Sequence, residues 1–329
     1  MSTRTHGPAG RRWRVGLAGG AVTAALLGAW AVVPTSEAAG TPSGPPESAA
    51  AAVDPTNRIA FVTGSSSPHL ALMDRSGGNL VQLTWCHLDG SPTFTPDGRH
   101  LVFAHDDPRG PPDLWMVGTD GQNAVRLTTA PERDTDPTVS PDGTLIAFTS
   151  NRGVGHGVYL MPLAGESVSD PAVRLVRGWD PAFSPDGRHL AVVRRDADGS
   201  TSIWVVNRKG EQRARLTKGP GGWQGGPSYS PDGARIAYSS DGAIWLMRSD
   251  GSRQRPITDP KFNADARPAF SPNGRQVVFQ RWNYARYFNI VRKPARRTSH
   301  ATVLTTYPGA WAQEDVQPAW WGPALLATP

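Results

Sequence analysis

Apolar residues fall in short runs, and no stretch sustains a helical period. One set comprises Ile59-Ala60-Phe61, Leu101-Val102-Phe103, Ile146-Ala147-Phe148, Leu190-Ala191-Val192, Ile236-Ala237-Tyr238 and Val277-Val278-Phe279. Runs this short, apolar on both faces and rich in β-branched and aromatic residues, suit strands buried between stacked sheets. A second run follows about ten residues after each, as at Leu114-Trp115-Met116-Val117, Ile203-Trp204-Val205-Val206 and Ile244-Trp245-Leu246-Met247. The aromatic at its second position reads as packing between sheets. A short third run often ends in Leu-Thr or Ile-Thr, as at Leu83-Thr84, Leu127-Thr128, Leu216-Thr217 and Ile257-Thr258.

The polar punctuation repeats as well. Pro-Asp-Gly, or Pro-Asn-Gly in the last copy, precedes all but the first member of the first set. Proline presets φ for the first corner of a turn, aspartate bonds its own backbone, and glycine accepts positive φ. The turn residues Asp97, Asp142, Asp186, Asp232 and Asn273 fall 45, 44, 46 and 41 residues apart, the size of one small antiparallel sheet. Before each turn lies a Pro-x-aromatic or Pro-x-Val segment, giving the order strand, turn, strand, loop, strand, turn, strand: one propeller blade. Residues 57–84 supply three strands and lack the innermost. Residues 317–322 (Gln-Pro-Ala-Trp-Trp-Gly) supply an innermost strand with no blade after it. Joined, they make a sixth blade and remove two exposed edges. The predicted fold is an all-β, six-bladed propeller of four-stranded antiparallel blades, closed by the C-terminal strand.

The repeated Pro-x-Phe-Ser-Pro-Asp-Gly segments resemble the TolB-like β-propeller family. So do the Ser150-Asn151-Arg152-Gly153 loop and the strands ending Arg126-Leu127-Thr128 and Arg215-Leu216-Thr217. The resemblance covers residues 57–322 but not the α/β domain that TolB carries ahead of its propeller; residues 39–56 read as a spacer instead. It implies the fold strongly and the function weakly, because such propellers serve as binding platforms, enzyme scaffolds and appendages to peptidases.

Composition changes this picture in two places. Gly (36) and Pro (31) make up about one residue in five, the density expected of many tight turns. The formal charge of +6 suggests a polyanion until it is located. Residues 1–38 hold four arginines (4, 11, 12 and 14) and one glutamate, so the remainder carries about +3, and no nucleic-acid partner is expected. Those residues form a basic segment, the uncharged stretch 15–33 and the small-residue site Ser36-Glu37-Ala38, the pattern of an export signal. The 19-residue stretch is also long enough for an uncleaved membrane anchor. Arg11-Arg12 weakly suggests the twin-arginine route over Sec. The expected organisation is a signal or anchor at 1–38, a flexible linker at 39–56 and the propeller at 57–329, extracytoplasmic and monomeric. The lone Cys86 reads as a small buried residue.

In a propeller the blade-to-blade connections and the second-to-third loops share one face. That face collects Trp85, His87 and Asp89; Asp134 and Asp136; Trp179 and Asp180; Trp223 and Gln224; Asp265 and Arg267; and Trp311, Glu314, Asp315 and Gln317. Aromatics beside acids at a funnel mouth suit a protein or a cell-envelope glycan or peptide. The alternative is padding of the blade tops with a solvated acidic rim. The turn aspartates read as structural. No Gly-x-Ser-x-Gly or His-Glu-x-x-His motif is present, and no catalytic residue is assigned. A channel-site lyase or hydrolase acting on sugar or lactone remains the alternative function. Calcium held by channel carboxylates, as in six-bladed lactonases, has no loop motif behind it, and no cofactor is expected. Arg281, Arg286, Arg292, Lys293, Arg296 and Arg297 among Trp282, Tyr284, Tyr287 and Phe288 form a basic-aromatic stretch in the last full blade, suited to anionic glycan or lipid.

Overall fold

A computed structural model of the chain describes residues 57–321, apart from 65–67, 86–88, 107–109, 164–170, 219–221, 260–263, 284–286, 297–299 and 306–315. The expected signal or anchor and the linker lie outside the described residues, as do Cys86, His87, Trp311, Glu314 and Asp315. Twenty-four strands form six four-stranded antiparallel sheets, with no helix among the described residues. The innermost strands are Val316–Trp321, Asp89–Phe94, Asp134–Val139, Trp179–Phe183, Gln224–Tyr229 and Ala264–Phe270, which define blades one to six. Ring closure is as the repeat count predicts: Arg58, Ile59 and Ala60 pair with Trp321, Trp320 and Ala319. Apolar clusters fill the spaces between adjacent sheets; Ala60, Leu70 and Leu72 of blade one, for example, pack with Leu101, Phe103 and Trp115 of blade two.

The Ser-Pro-Asp-Gly turns are self-contained hydrogen-bonded units. In blade four, Ser184 Oγ donates to Asp186 Oδ1 (2.5 Å), Arg188 N donates to the same oxygen (3.0 Å), and His189 N donates to Ser184 Oγ (3.0 Å). The same three bonds recur from Ser230 in blade five and Ser271 in blade six. The serine hydroxyl, then the backbone, hold the Asp186 carboxyl below its ordinary range. The Leu-Thr ending has an equally local reason. Each threonine hydroxyl accepts the backbone N–H of the strand beside it just where the outer ladder stops: Leu70 N to Thr84, Leu114 N to Thr128, Ile203 N to Thr217 and Ile244 N to Thr258, at 2.8–2.9 Å. No backbone donor is left unsatisfied there.

The innermost strands carry one more regularity. In blades two to six the ladder with the second strand breaks at a residue–proline pair. Proline supplies no N–H to a ladder and is confined to edges and bulges. The residue before it is left-handed in every blade: Ser91, Asp136, Asp180, Gly226, Arg267 and Gln317 have φ between 48° and 56°. These six bulges meet at the axis.

Candidate functional site

The six residue–proline pairs line one axial cavity of about 120 Å³. Its centre is an ion-paired cluster from three blades. Arg267 Nη1 lies 2.8 Å from Asp136 Oδ1 and 3.5 Å from Asp180 Oδ1. Ser91 Oγ donates to Asp136 Oδ1 (2.9 Å), and Gly226 N donates to Asp180 Oδ2 (2.9 Å). Gln317 closes the ring by accepting Ser91 N through its side-chain oxygen.

One guanidinium between two carboxylates leaves them unequal. Burial opposes ionisation of Asp136, but Arg267 and the hydroxyl of Ser91 outweigh it and hold its pKa below the ordinary value. At Asp180 burial wins over Arg267, the Asp136 charge adds to it, and the pKa is pushed up to about 6. Burial lowers the Arg267 pKa, and the two carboxylates more than offset that, so it stays charged. The floor of the mouth therefore goes from net neutral to net −1 as pH rises through about 6. Because the folded value lies above the ordinary 3.8, the stability contributed by Asp180 is fully present below about 4 and is lost as pH rises through about 6. Carboxyl-resolved NMR is expected to show a titration near 6 that Asp180→Asn removes. A sole midpoint near 4 would overturn this assignment.

Above the floor, on the face of the blade connections, a cavity of about 340 Å³ opens between blades three, four and five. Trp179, Trp223 and His156 form its walls; Arg133 and Arg195 stand with them, and Asp136, Asp180 and Arg267 lie at the base. His156 and Trp179 meet edge to face at 6.5 Å between ring centroids. Trp223 is 53 % exposed although it borders a cavity, a large apolar surface left open to solvent.

Of the residues singled out in the sequence, five converge here: Asp136, Trp179, Asp180, Trp223 and Arg267. Three acids sit elsewhere, buried and paired. Asp89 receives His105 Nδ1 at 2.6 Å together with Thr84, Asp134 pairs with Arg152, and Asp265 is held by Arg281 through both Nε (2.7 Å) and Nη2 (2.8 Å). They share one repeat position, two residues before the axial one, where Gln224 of blade five is also buried. Trp85 is exposed and does not line the cavity. In the last full blade, Trp282 packs on Phe288 at 4.8 Å, Arg281 belongs to Asp265, and Lys293 is buried with its pKa lowered by burial.

Sequence reasoning missed Arg133, Arg195 and Ser91 as members of the site. The signal available for Ser91 was its place: it immediately precedes the repeat proline, in a column that reads Ser, Asp, Asp, Gly, Arg, Gln while the proline after it never changes. Arg133 sits in a blade connection and Arg195 ends the second strand of blade four, each beside a loop whose length varies between copies, so no column marks them.

Known proteins share this architecture. A TolB homolog of Chlorobaculum tepidum is 30% identical over 162 residues, 48% of this chain and 35% of that protein. An uncharacterized protein of Agrobacterium fabrum is 31% identical over 196 residues, 57% of this chain and 64% of that protein. The chain thus spans about a third to two thirds of the length of these curated relatives. The crystal structure of TolB from Acinetobacter baumannii superposes with a TM-score of 0.68 at 20% identity, over 80% of this chain and 66% of that one, a likeness of fold. A family profile described as "TolB beta propeller domain" matches residues 50–175 and 172–321, and the chain belongs to that family.

Proposed function

We infer that this propeller is an extracytoplasmic binding module whose mouth, between blades three and five, holds a segment of a partner protein or an envelope peptide. The observation that carries the reading is the composition of that mouth: two tryptophan faces and a histidine ring around a pre-paired polar floor, with two arginines at the edge. Aromatic walls bind a side chain by area while polar groups fix its orientation, and buried aromatics with arginine dominate protein recognition. Among the described residues, no three His, Cys, Asp or Glu side chains come together as metal ligands do. The extracytoplasmic placement rests on residues 1–38; among the described residues no helix is long and apolar enough to cross a membrane.

The test is quantitative capture from cell-envelope extract, with bound proteins identified by mass spectrometry. The Trp179→Ala, Trp223→Ala double variant is expected to reduce recovery of the specific partner at least tenfold, at about 2 kcal/mol for each interfacial aromatic. Equal recovery by both proteins would sink the reading.

A further inference from the structure

The opposite face, that of the Pro-Asp-Gly turns, carries a site of a different kind in the seam between blades four and five. Its form is clearest from the seam beside it. Between blades three and four, Arg208, from the turn joining the outer two strands of blade four, lies across the gap. Its guanidinium sits 5.9 Å from the Phe183 ring centroid, donates through Nε to Gly187 O, and reaches Asp142 Oδ2 at 3.2 Å. Two other seams are filled in a related way. Arg235 lies 5.3 Å over Phe270 and donates to Gly274 O at 2.8 Å, and Arg58 lies 5.5 Å over Trp321 and donates to Gly98 O at 2.8 Å. Each time an arginine spans an aromatic ring and the turn glycine's carbonyl.

Between blades four and five the receiving groups are present and the arginine is not. Tyr229 stands where Phe183 does, Gly233 where Gly187 does, and Asp186 where Asp142 does, while Ser249 occupies the repeat position of Arg208. The residue corresponding to Arg235 is His189. Among the described residues neither Gly233 O nor Asp186 Oδ2 accepts a hydrogen bond. A Cβ built on Gly233 would touch only Pro185, at 3.8 Å, where one on Gly187 would run into Arg208 Nη2 at 2.6 Å. The result is a groove of about 860 Å³ that also takes in Asp232, Asp250 and Arg213, with apolar walls from Val205, Ala214 and Leu216.

We propose that this seam binds an arginine side chain of a partner protein, its guanidinium over Tyr229 and between Gly233 O and the Asp186 carboxylate. Three carboxylates against one arginine and one histidine favour a cation. The ring, the carbonyl and the carboxylate favour a planar one that stacks and donates along several directions, which an ammonium does not. The groove is far larger than one guanidinium, and its apolar walls fit the residues flanking the arginine. A peptide thus fits better than the free amino acid.

Calorimetry on the full chain with the blocked tripeptide acetyl-Leu-Arg-Leu-amide tests this directly. One site is expected, with at least tenfold weaker binding for the citrulline analogue and for free arginine. Ser249→Arg, which supplies the absent side chain internally, is expected to keep or raise Tm and to weaken peptide binding at least tenfold. Arg208→Ser is expected to open the neighbouring seam and raise the stoichiometry from one to two. If Ser249→Arg does not fold, Asp186→Asn takes its place and is expected to weaken binding at least threefold. No binding, equal binding of the citrulline peptide, or binding unchanged by filling the seam would each overturn the proposal. Free arginine binding as tightly as the peptide would overturn the assignment to a protein partner.

Discussion

Removing the chain from Val316 onward is expected to abolish cooperative unfolding altogether. That segment is the innermost strand of blade one, paired with Arg58, Ile59, Ala60 and Val62. Without it the second strand of that blade becomes an unpaired edge, and blades one and six lose the element between them. The two tryptophans anchor it. Trp320 packs on the cluster of Ile59, Phe61 and Val278, and Trp321 meets the Phe94 ring at 6.3 Å and donates from Nε1 to Pro96 O. Loss of a buried Trp costs about 3–5 kcal/mol. Two half-buried ones together with the strand's ladder bonds reach the 5–15 kcal/mol that holds a typical domain together. Thermal melts followed by circular dichroism should show a broad, non-cooperative loss of signal. A sharp transition within a few degrees of the intact chain would show that closure is dispensable.

Arg267→Ala is expected to be the most damaging single substitution at the axis. It leaves Asp136 and Asp180 facing each other with no cation between them. Breaking a buried ion pair from one side costs about 3–5 kcal/mol. The Arg267 side chain is about one-third exposed to the channel, which tempers the figure to about 2–3 kcal/mol. At about 2–4 °C per kcal/mol for a domain of this size, Tm falls by roughly 4–12 °C. The loss is also pH-dependent in a definite direction. With the guanidinium gone one carboxyl must hold its proton to higher pH, so the variant is penalised more at pH 8 than at pH 5. Adding Asp136→Ala should recover part of the loss, because it removes the repulsion that Arg267 had masked. An additive double variant would argue against the cluster acting as a unit.

The blade count, the strand order and the closing strand were all legible because they rest on local chemistry repeated five times. Pro-Asp-Gly specifies a turn wherever it occurs, and Ile-Ala-Phe is buried in any register that stacks sheets. The site was only partly legible, for a related reason. Asp89, Asp134 and Asp265 looked like mouth acids because topology puts them on the right face. Topology does not show that His105, Arg152 and Arg281, from the adjacent second strands or the loops beyond them, turn inward to meet them. Asp136 and Asp180 differ from those three by two residues along the strand, and that step turns a partner-seeking core acid into a channel acid. The cluster with Arg267 joins residues 131 positions apart, beyond any spacing rule.

The six left-handed residues at the axis ask of the sequence only a tolerated φ near +50° and a following proline. Glycine, asparagine and aspartate meet the first condition with the least strain, yet Ser91, Arg267 and Gln317 stand there too. Their side chains lie outside the packing between blades, so this column works as an alphabet of six letters, spelling Ser-Asp-Asp-Gly-Arg-Gln around the ring. The charged letters are read together, since the arginine has meaning only beside its two acids. Rewriting all three at once to neutral residues would change the charge of the mouth's floor and remove the floor's titration near pH 6 while leaving the scaffold intact. A propeller of this kind can therefore acquire a new ligand by spelling rather than by rebuilding.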